Sequence, residues 1–448
     1  MNEESQKSVH VMISLTGCRT CERVQLSVAS HLLSDLNPPD CNAPEVEITL
    51  QNLHSLLENP SLSKNVKRLD SVDTLTNELV ACAIPGVASS AEDTAYAVFV
   101  DITSAHQKRD CMSLLKVSQT VRNIIIIAAT GPDLTPHASA PRSVGMAAQH
   151  MLTELLHGVD CTNAVGISSS KRVGNDEVKV RAGVMAVQIQ PVSNSLQNVA
   201  EENCQSSSSL LLERDRMALD ACSLVQVQFR SGERVQPPPP LFIQMMTLGD
   251  QTHSSPLLYL HDKGVDLSSI AMCGNELSLA NVSYFESLLR RFPGFMLLLD
   301  CFGSVEKPVS DNIGEYNNHP CDEEICQAIK YLISTGYVNR LIITSSVTSK
   351  LNLINYGGAG YYHIQRSVIP RLLRRDISAE HIHQLTVSNL STFVTWYIPP
   401  PEIPVERETF QCFICDKKSC FGEHYEKFEF LYCTSKCLRE HAKRKWAK

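Results

Sequence analysis

The chain has 448 residues, of which 43% are hydrophobic, and a formal net charge of −8 at pH 7. This composition supplies a large buried core, and no window approaches the roughly 18 uninterrupted apolar residues that a membrane span needs. The polar, acidic amino terminus predicts no secretory signal peptide. The 17 cysteines favour a reducing compartment, so we expect a cytoplasmic or nuclear protein without a membrane partner.

Eight apolar runs predict buried parallel strands, because each ends near a polar or glycine-rich turn and most precede a helical pattern. In chain order the runs are Val24–Val28, Ala97–Asp101, Asn123–Ala128, Gly183–Gln188, Ser223–Gln228, Leu267–Cys273, Gly294–Asp300 and Arg340–Thr344. The clearest helical pattern extends from Asp322 to Thr335, with acids in its first turn and Gly336 just past its end. Alternating strands and helices predict an α/β fold, a (β/α)8 TIM barrel with insertions.

Composition also predicts where the barrel ends. An insertion at 37–94 contains a helical pattern from Val72 to Ala83, and we expect it to cap the barrel mouth. Prolines at 399–401 and at 404 mark a linker. We therefore predict a barrel over residues 1–398, a proline-rich linker over 399–408 and a small zinc-binding, treble-clef-like domain over 409–448.

Several segments in order carry a family resemblance. The stretch AVFVDITSAHQKRDCMSLLKVSQTVRNIIIIAATG is followed by VRAGVMAV, FMLLLDCFG, GYVNRLIITS, GGAGYYHIQRSVIPRLL and ISAEHIHQLTVSNLSTF. Together they resemble the phosphotriesterase-related proteins, a branch of the amidohydrolase superfamily. The resemblance extends roughly from Val11 to Trp396 and implies a metal-dependent hydrolase built on a barrel.

The resemblance implies two divalent metal ions at the barrel mouth. Family ligands are a His-x-His on strand one, a Lys or Glu on strand four, a His on each of strands five and six, and an Asp on strand eight. On strand four the bridging residue falls at Ala186 or Val187. The residues at the six ligand positions are Ala29, His31, Ala186, Gln228, Asn275 and Ser346.

Only His31 of this set is a ligand that Zn²⁺ favours, because the other side chains end in methyl, amide or hydroxyl groups. We therefore expect loss of the family's chemistry, with no catalytic residue, and a pseudoenzyme that acts as a protein-interaction scaffold. Two alternatives stay open. One is a hydrolase acting on ester bonds through an atypical or relocated site built from His31, Asp101, Asn275, Asp300 and His363. The other is a nucleic-acid or chromatin adaptor that works through the C-terminal domain.

Five cysteines lie close together near the end of the chain. Cys412-x2-Cys415 and Cys433-x3-Cys437 are separated by 17 residues, which is typical of a treble-clef zinc site. The segment YCTSKCLREHAKRKW also resembles MYND-like fingers. We predict one structural zinc on these four cysteines. Whether Cys420, His424 and His441 bind a second zinc stays open, because no cysteine follows His441.

The finger's partner is inferred from charge. The last helix carries Arg439, Lys443, Arg444, Lys445 and Lys448 against Glu440. The whole chain is acidic and no nucleic-acid motif accompanies this basic face. We therefore expect a protein partner in preference to nucleic acid, and the barrel mouth leaves room for a small-molecule ligand.

Overall fold

The structure is a computed structural model that divides into two compact units, Met1–Ile398 and Pro399–Lys448. Among the described residues, no helix is long and apolar enough to cross a membrane. The described residues are 10–15, 17–21, 23–37, 41–82, 95–104, 107–132, 134, 143–160, 179–190, 211–231, 237–245, 254–274, 277–303, 320–345, 347–396, 409–420, 425–427 and 430–444.

The described strands of the first unit include eight that form one parallel sheet. The strands of both units, numbered in chain order, are β1 His10–Ser14, β2 Gly17–Cys21, β3 Val24–Ser30, β4 Ser34–Asp35, β5 Arg68–Leu69, β6 Tyr96–Asp101, β7 Ile124–Thr130, β8 Val159–Asp160, β9 Lys179–Val180, β10 Ala182–Ile189, β11 Leu241–Met245, β12 Ile270–Cys273, β13 Met296–Phe302, β14 Leu341–Ser345, β15 Thr409–Gln411, β16 Lys418–Cys420, β17 Tyr425–Lys427 and β18 Phe430–Tyr432. The parallel sheet runs β3-β6-β7-β10-β11-β12-β13-β14, which is the strand order of a (β/α)8 barrel.

Helices of the first unit that follow the barrel strands cover the outside of the sheet, and the helices of both units are numbered together. In chain order they are α1 Leu53–Glu58, α2 Val72–Cys82, α3 Cys111–Thr120, α4 Val144–Leu156, α5 Glu213–Ser231, α6 Ser254–Asp262, α7 Val282–Arg291, α8 Asp322–Ser334, α9 Ile369–Leu373, α10 Ala379–His383, α11 Asn389–Phe393 and α12 Ser435–Lys443. Single π-helical turns, Ile364–Val368 and Gln384–Ser388, precede α9 and α11.

Two layers of apolar side chains form the core because successive strand residues point to opposite faces of the sheet. Ala186 and Phe242 belong to the cluster inside the barrel. Their strand neighbours Val187 and Ile243 pack outward against the helices. This alternation fixes which residue at each strand end faces the barrel mouth.

The barrel closes between its first and last strands through side chains. The hydroxyl Oγ1 of Thr344 accepts a hydrogen bond from Ala29 N at 3.0 Å and donates one to Ala29 O at 3.1 Å. Next to it, Ser30 Oγ accepts a hydrogen bond from Val347 N at 3.0 Å. Among the described residues no backbone ladder joins β3 to β14.

Most of the predicted elements are confirmed. The predicted helix from Asp322 corresponds to α8, which buries Ile325, Ala328, Ile329 and Leu332 on one face. Seven of the eight predicted strands overlap barrel strands.

The prediction that Ser223–Gln228 is strand five is wrong. This run lies within helix α5, and strand five is β11. Its alternating apolar residues resemble a strand, but the longer helical spacing from Ala218 to Phe229 decides the structure.

The insertion after β3 contacts the side of the barrel that carries the loop after β14. Helix α2 coincides with the predicted helical pattern, and its buried Glu78 accepts a hydrogen bond from Asn355 N at 3.3 Å. Lys350 Nζ lies 2.9 Å from Asp70 Oδ1. Parallel strands of such a barrel end at this face, so the described part of the insertion lies beside the mouth.

Candidate functional site

A methyl group occupies the first expected ligand position, at the end of β3. Ala29 is 1% exposed and lies in the cluster inside the barrel. On the fourth barrel strand, Ala186 is fully buried in the same cluster, whereas Val187 packs outward. The inward-facing residue of the predicted pair is therefore Ala186. Neither alanine has a side-chain atom that can bind a cation.

The assignment of Gln228 to the mouth is wrong, because this residue is exposed on the outer helix α5. The residue that lies at the end of strand five is Gln244. It is 7% exposed, and its Nε2 donates to Ile102 O at 2.7 Å. Gln188 and Cys273 are its register partners on the neighbouring strands. The corrected position is still a neutral amide.

His31 is the retained imidazole and lies just past the end of β3. It is 5% exposed, its Nδ1 lies 3.0 Å from Thr103 Oγ1, and its carbonyl accepts a hydrogen bond from Tyr361 OH at 2.6 Å. Thr103 Oγ1 donates in turn to Asp101 Oδ1 at 2.5 Å. The structure therefore joins His31 to Asp101 through one hydroxyl.

Burial dominates the electrostatics of Asp101. The side chain is fully buried, and this desolvation raises its pKa to about 6 although Thr103 and Leu32 donate hydrogen bonds to it. A carboxyl group with this pKa exchanges a proton close to neutral pH. The His31–Thr103–Asp101 chain therefore places one such carboxyl group at the mouth.

The other candidates for a relocated site have separate partners. Asp300 accepts hydrogen bonds from Gly274 N at 3.0 and 3.2 Å. His363 Nε2 lies 2.7 Å from Asp322 Oδ2, on the first turn of α8. The predicted positions Asn275 and Ser346 lie outside the described residues.

The described side chains at the barrel mouth do not supply the ligands of a two-metal centre. At the described strand ends the side chains of the mouth supply one imidazole, the carboxyl groups of Asp101 and Asp300, amides, hydroxyls, a thiol and methyl groups. Zinc pairs in hydrolases need several imidazole or carboxylate ligands around each ion. Within the described ranges, the barrel contains no group of three or more His, Cys, Asp or Glu side chains close enough to hold a metal ion.

The C-terminal unit does contain such a group. The sulfur atoms of Cys412, Cys415, Cys433 and Cys437 all lie within 4.8 Å of one another. Cys415 Sγ is 3.5 Å from Cys433 Sγ, which is 3.7 Å from Cys437 Sγ. Tetrahedral zinc with Zn–S bonds of about 2.3 Å places its sulfur ligands about 3.8 Å apart. The four thiols can therefore hold a metal ion.

Local elements bring these cysteines together. Cys412 and Cys415 lie in the turn between β15 and β16, and Cys433 and Cys437 lie at the start of α12. Burial acts to raise the pKa of the Cys412 thiol, but hydrogen bonds from the backbone N–H groups of Cys433, Cys415 and Ile414 lower it to about 6. Thiolate is the form that binds metal, so these donors prepare Cys412 as a ligand.

The remaining predicted finger residues differ in their placement. His441 is fully buried in the aromatic core of the finger, where its Nδ1 lies 2.8 Å from Tyr432 OH and its ring 4.8 Å from that of Phe413. His424 and the side chain of Cys420 lie outside the described part of the chain. The basic face on α12 is partly neutralised, because Glu440 lies 3.8 Å from Lys443 Nζ.

Comparison with known proteins finds similarity to phosphotriesterase-related proteins. A model described as the phosphotriesterase family matches residues 248–394. The matched segment is about a third of the chain. A relative from Xenopus tropicalis named N-acetyltaurine hydrolase is 23% identical over 361 residues, covering 79% of this chain and 86% of the relative. A phosphotriesterase-related protein from Nematostella vectensis is 25% identical over 357 residues, covering 78% and 85%.

Solved structures agree with the barrel fold. The crystal structure of a resiniferatoxin-binding protein from Rhodobacter sphaeroides has a TM-score of 0.66 at 20% identity, covering 86% of this chain and 95% of that one. The phosphotriesterase homology protein from Escherichia coli has a TM-score of 0.55 at 19% identity, covering 82% and 98%. At these identities the similarity establishes the fold alone.

Sequence reasoning missed three residues of the mouth: Gln244, Thr103 and Thr344. A signal for Gln244 was available, since the run LFIQM follows directly after Pro237–Pro240 and reads as a short buried strand. Thr103 and Thr344 carry no comparable local signal, because their roles depend on partners far away in the sequence.

Proposed function

We propose that this chain is a catalytically degenerate member of the phosphotriesterase-related family that acts by binding a protein partner. The observation that carries the proposal is the donor set at the barrel mouth, where Ala29, Ala186 and Gln244 occupy strand ends that would supply metal ligands. A pair of ions that activates water cannot be held by methyl and amide groups. The barrel then serves as a rigid scaffold.

We further propose that the C-terminal unit holds one structural zinc ion through Cys412, Cys415, Cys433 and Cys437. The described part of this unit contains few buried apolar residues, mainly Tyr432 and the aromatic rings around it. Zinc binding by a small unit of this kind supplies its folding free energy. The finger is the part of the chain that we expect to contact the protein partner.

Metal analysis of three proteins tests both statements. The full chain is compared with a truncation ending at Ile403 and with a full-length Cys433→Ser, Cys437→Ser variant. We expect one zinc per full chain and none in the other two. Two tightly held divalent ions in the truncated barrel would contradict the degenerate-site proposal, while a metal-free full chain would contradict the finger proposal. A pulldown with the full chain and the double variant then identifies whether partner capture needs a folded finger.

A second candidate is a hydrolase of the amidohydrolase type. Two observations favour it: relatives carry the name N-acetyltaurine hydrolase, and the His31–Thr103–Asp101 chain retains acid–base capacity. Incubation of the purified chain with N-acetyltaurine and with simple carboxylic esters discriminates the candidates. Turnover that disappears in His31→Ala but persists in the exposed-site control His261→Ala would favour the hydrolase.

A further inference from the structure

An open cavity of about 550 Å³ lies at the rim of the barrel, in the first unit. Its lining comes from the end of β13, the first turn of α8, the glycine-rich turn at 357–359 and the segment that leads into α9. This volume is within the range of small-molecule sites. The cavity does not include any of the positions assigned above to the lost metal centre.

Hydrogen bonds fix one wall of this rim cavity. Asp322 Oδ1 accepts a hydrogen bond from Gly303 N at 3.0 Å, and Asp322 Oδ2 lies 2.7 Å from His363 Nε2. Gly303 has a φ of +70°, and a Cβ there would lie 2.8 Å from Ala359 Cβ and 2.9 Å from His363 Cδ2. The wall is therefore preformed and depends on a glycine at 303.

The cavity lining carries two acids and two arginines, and Arg375, outside the lining, pairs with one of the acids. Both acids are already matched, because Arg371 Nη1 lies 3.8 Å from Asp322 Oδ2 and Glu323 forms an ion pair with Arg375. Arg366 is exposed, lines the cavity and forms no ion pair with a described residue. Because both acids of the lining already have cationic partners, the Arg366 guanidinium is available to bind an anion.

A second observation at the cavity is a buried polar atom without a described partner. His363 is 8% exposed and lines the cavity, and its Nδ1 has no hydrogen-bond partner among the described residues. Buried polar atoms of proteins are normally hydrogen-bonded, and in the imidazolium form of His363, with Nε2–H donated to Asp322, Nδ1–H is a donor for a ligand oxyanion.

We propose that the rim cavity binds the oxyanion group of a small organic acid, a carboxylate, phosphate or sulfonate, with Arg366 as the principal contact. A guanidinium presents paired N–H donors that match the oxygens of such groups. The Asp322–His363 pair holds the wall against which the rest of the ligand packs. This site does not depend on the degenerate metal centre or on the zinc finger.

The exposed thiol of Cys321, which lines the cavity, provides a local probe. The full chain is reacted with neutral iodoacetamide in inorganic phosphate, methanesulfonate or acetate, with sodium chloride at equal ionic strength as the reference. Peptide mass spectrometry then reads the alkylation rate of Cys321 itself. At an anion concentration ten times Kd, mass action predicts slowing by about tenfold. The most protective anion identifies the acid group that the cavity prefers.

Two variants locate the effect. Arg366→Ala removes the proposed contact from an exposed position, so we expect protection to be lost while the fold is kept. Arg374→Ala removes another exposed arginine from the neighbouring segment outside the cavity, so protection should persist. Protection by none of the three anions, or equal protection in wild type and Arg366→Ala, overturns the proposal.

Discussion

Burial of Asp101 should make the stability of the barrel depend on pH in a defined direction. The carboxyl group is fully buried at the end of β6, and Oδ1 accepts hydrogen bonds from Leu32 N, Thr103 N and Thr103 Oγ1. Oδ2 has no partner among the described residues. Desolvation raises the pKa from 3.8 to about 6. The native state therefore holds a proton that the unfolded chain releases.

The sign follows from proton binding. Between about pH 4 and pH 6 the native state binds more protons at this site than the unfolded state, so the free energy of unfolding falls as the pH rises. A shift of about two pKa units corresponds to on the order of 3 kcal/mol, lost by pH 7. Asp101→Asn keeps the acceptor oxygen and cannot ionise. Asp101→Asn should therefore lack this loss. Its free energy of unfolding, relative to that of wild type, should be higher at pH 7.5 than at pH 4.

Urea unfolding of wild type and Asp101→Asn at pH 4.0 and 7.5 measures the effect. The difference between the two proteins at each pH cancels the titration of other groups. Gln149→Asn, at an exposed position of α4, changes no ionisable group and is the control, which should show the same difference at both pH values. A wild-type-to-mutant difference for Asp101→Asn that is also equal at both pH values would refute the burial argument.

Three further changes test the packing of the barrel by urea unfolding. Thr344→Val should cost about 1–3 kcal/mol because it leaves buried backbone groups across the β3–β14 seam unpaired, whereas Thr344→Ser should retain most of the stability. Arg109 Nη2 and Glu154 Oε1 form a buried ion pair at 2.9 Å. Glu154→Leu should lower the free energy of unfolding by about 3–5 kcal/mol because it leaves the buried Arg109 charge without a partner. Adding Arg109→Met removes that charge and should recover part of the lost stability. An equally unstable double variant would contradict that pairing. Gly360→Ala should cost about 1–3 kcal/mol, since φ is +68° and the new Cβ would lie 2.6 Å from Glu78 Oε2.

The barrel could be predicted because local patterns and tertiary packing agree along most of the chain. Helix α8 has acids in its first turn, a buried face at helical spacing and Gly336 with a φ of +90° just after its end. The prediction of strand five was wrong because the local pattern and the tertiary packing disagree there. LVQVQF alternates like a strand, but it belongs to a helix of 19 residues whose buried face becomes apparent only when the whole segment is considered.

The site could be predicted only where strand register fixes it. The family's ligand pattern predicted Ala29 and either Ala186 or Val187, and strand alternation in the structure turns Ala29 and Ala186 inward. The hydrogen bonds that organise the mouth join residues distant in sequence: His31 and Thr103 are 72 residues apart, and Ala29 and Thr344 are 315 apart. A single sequence carries no local signal for such pairs.

The side-chain closure between β3 and β14 also bears on solubility. A strand edge without a backbone ladder presents free N–H and C=O groups that can pair with a strand of another molecule and start aggregation. At this seam, Thr344 occupies both backbone groups of Ala29, and Ser30 occupies the N–H of Val347. Two hydroxyl groups thus occupy backbone positions that a foreign strand would use, which disfavours intermolecular pairing at this seam.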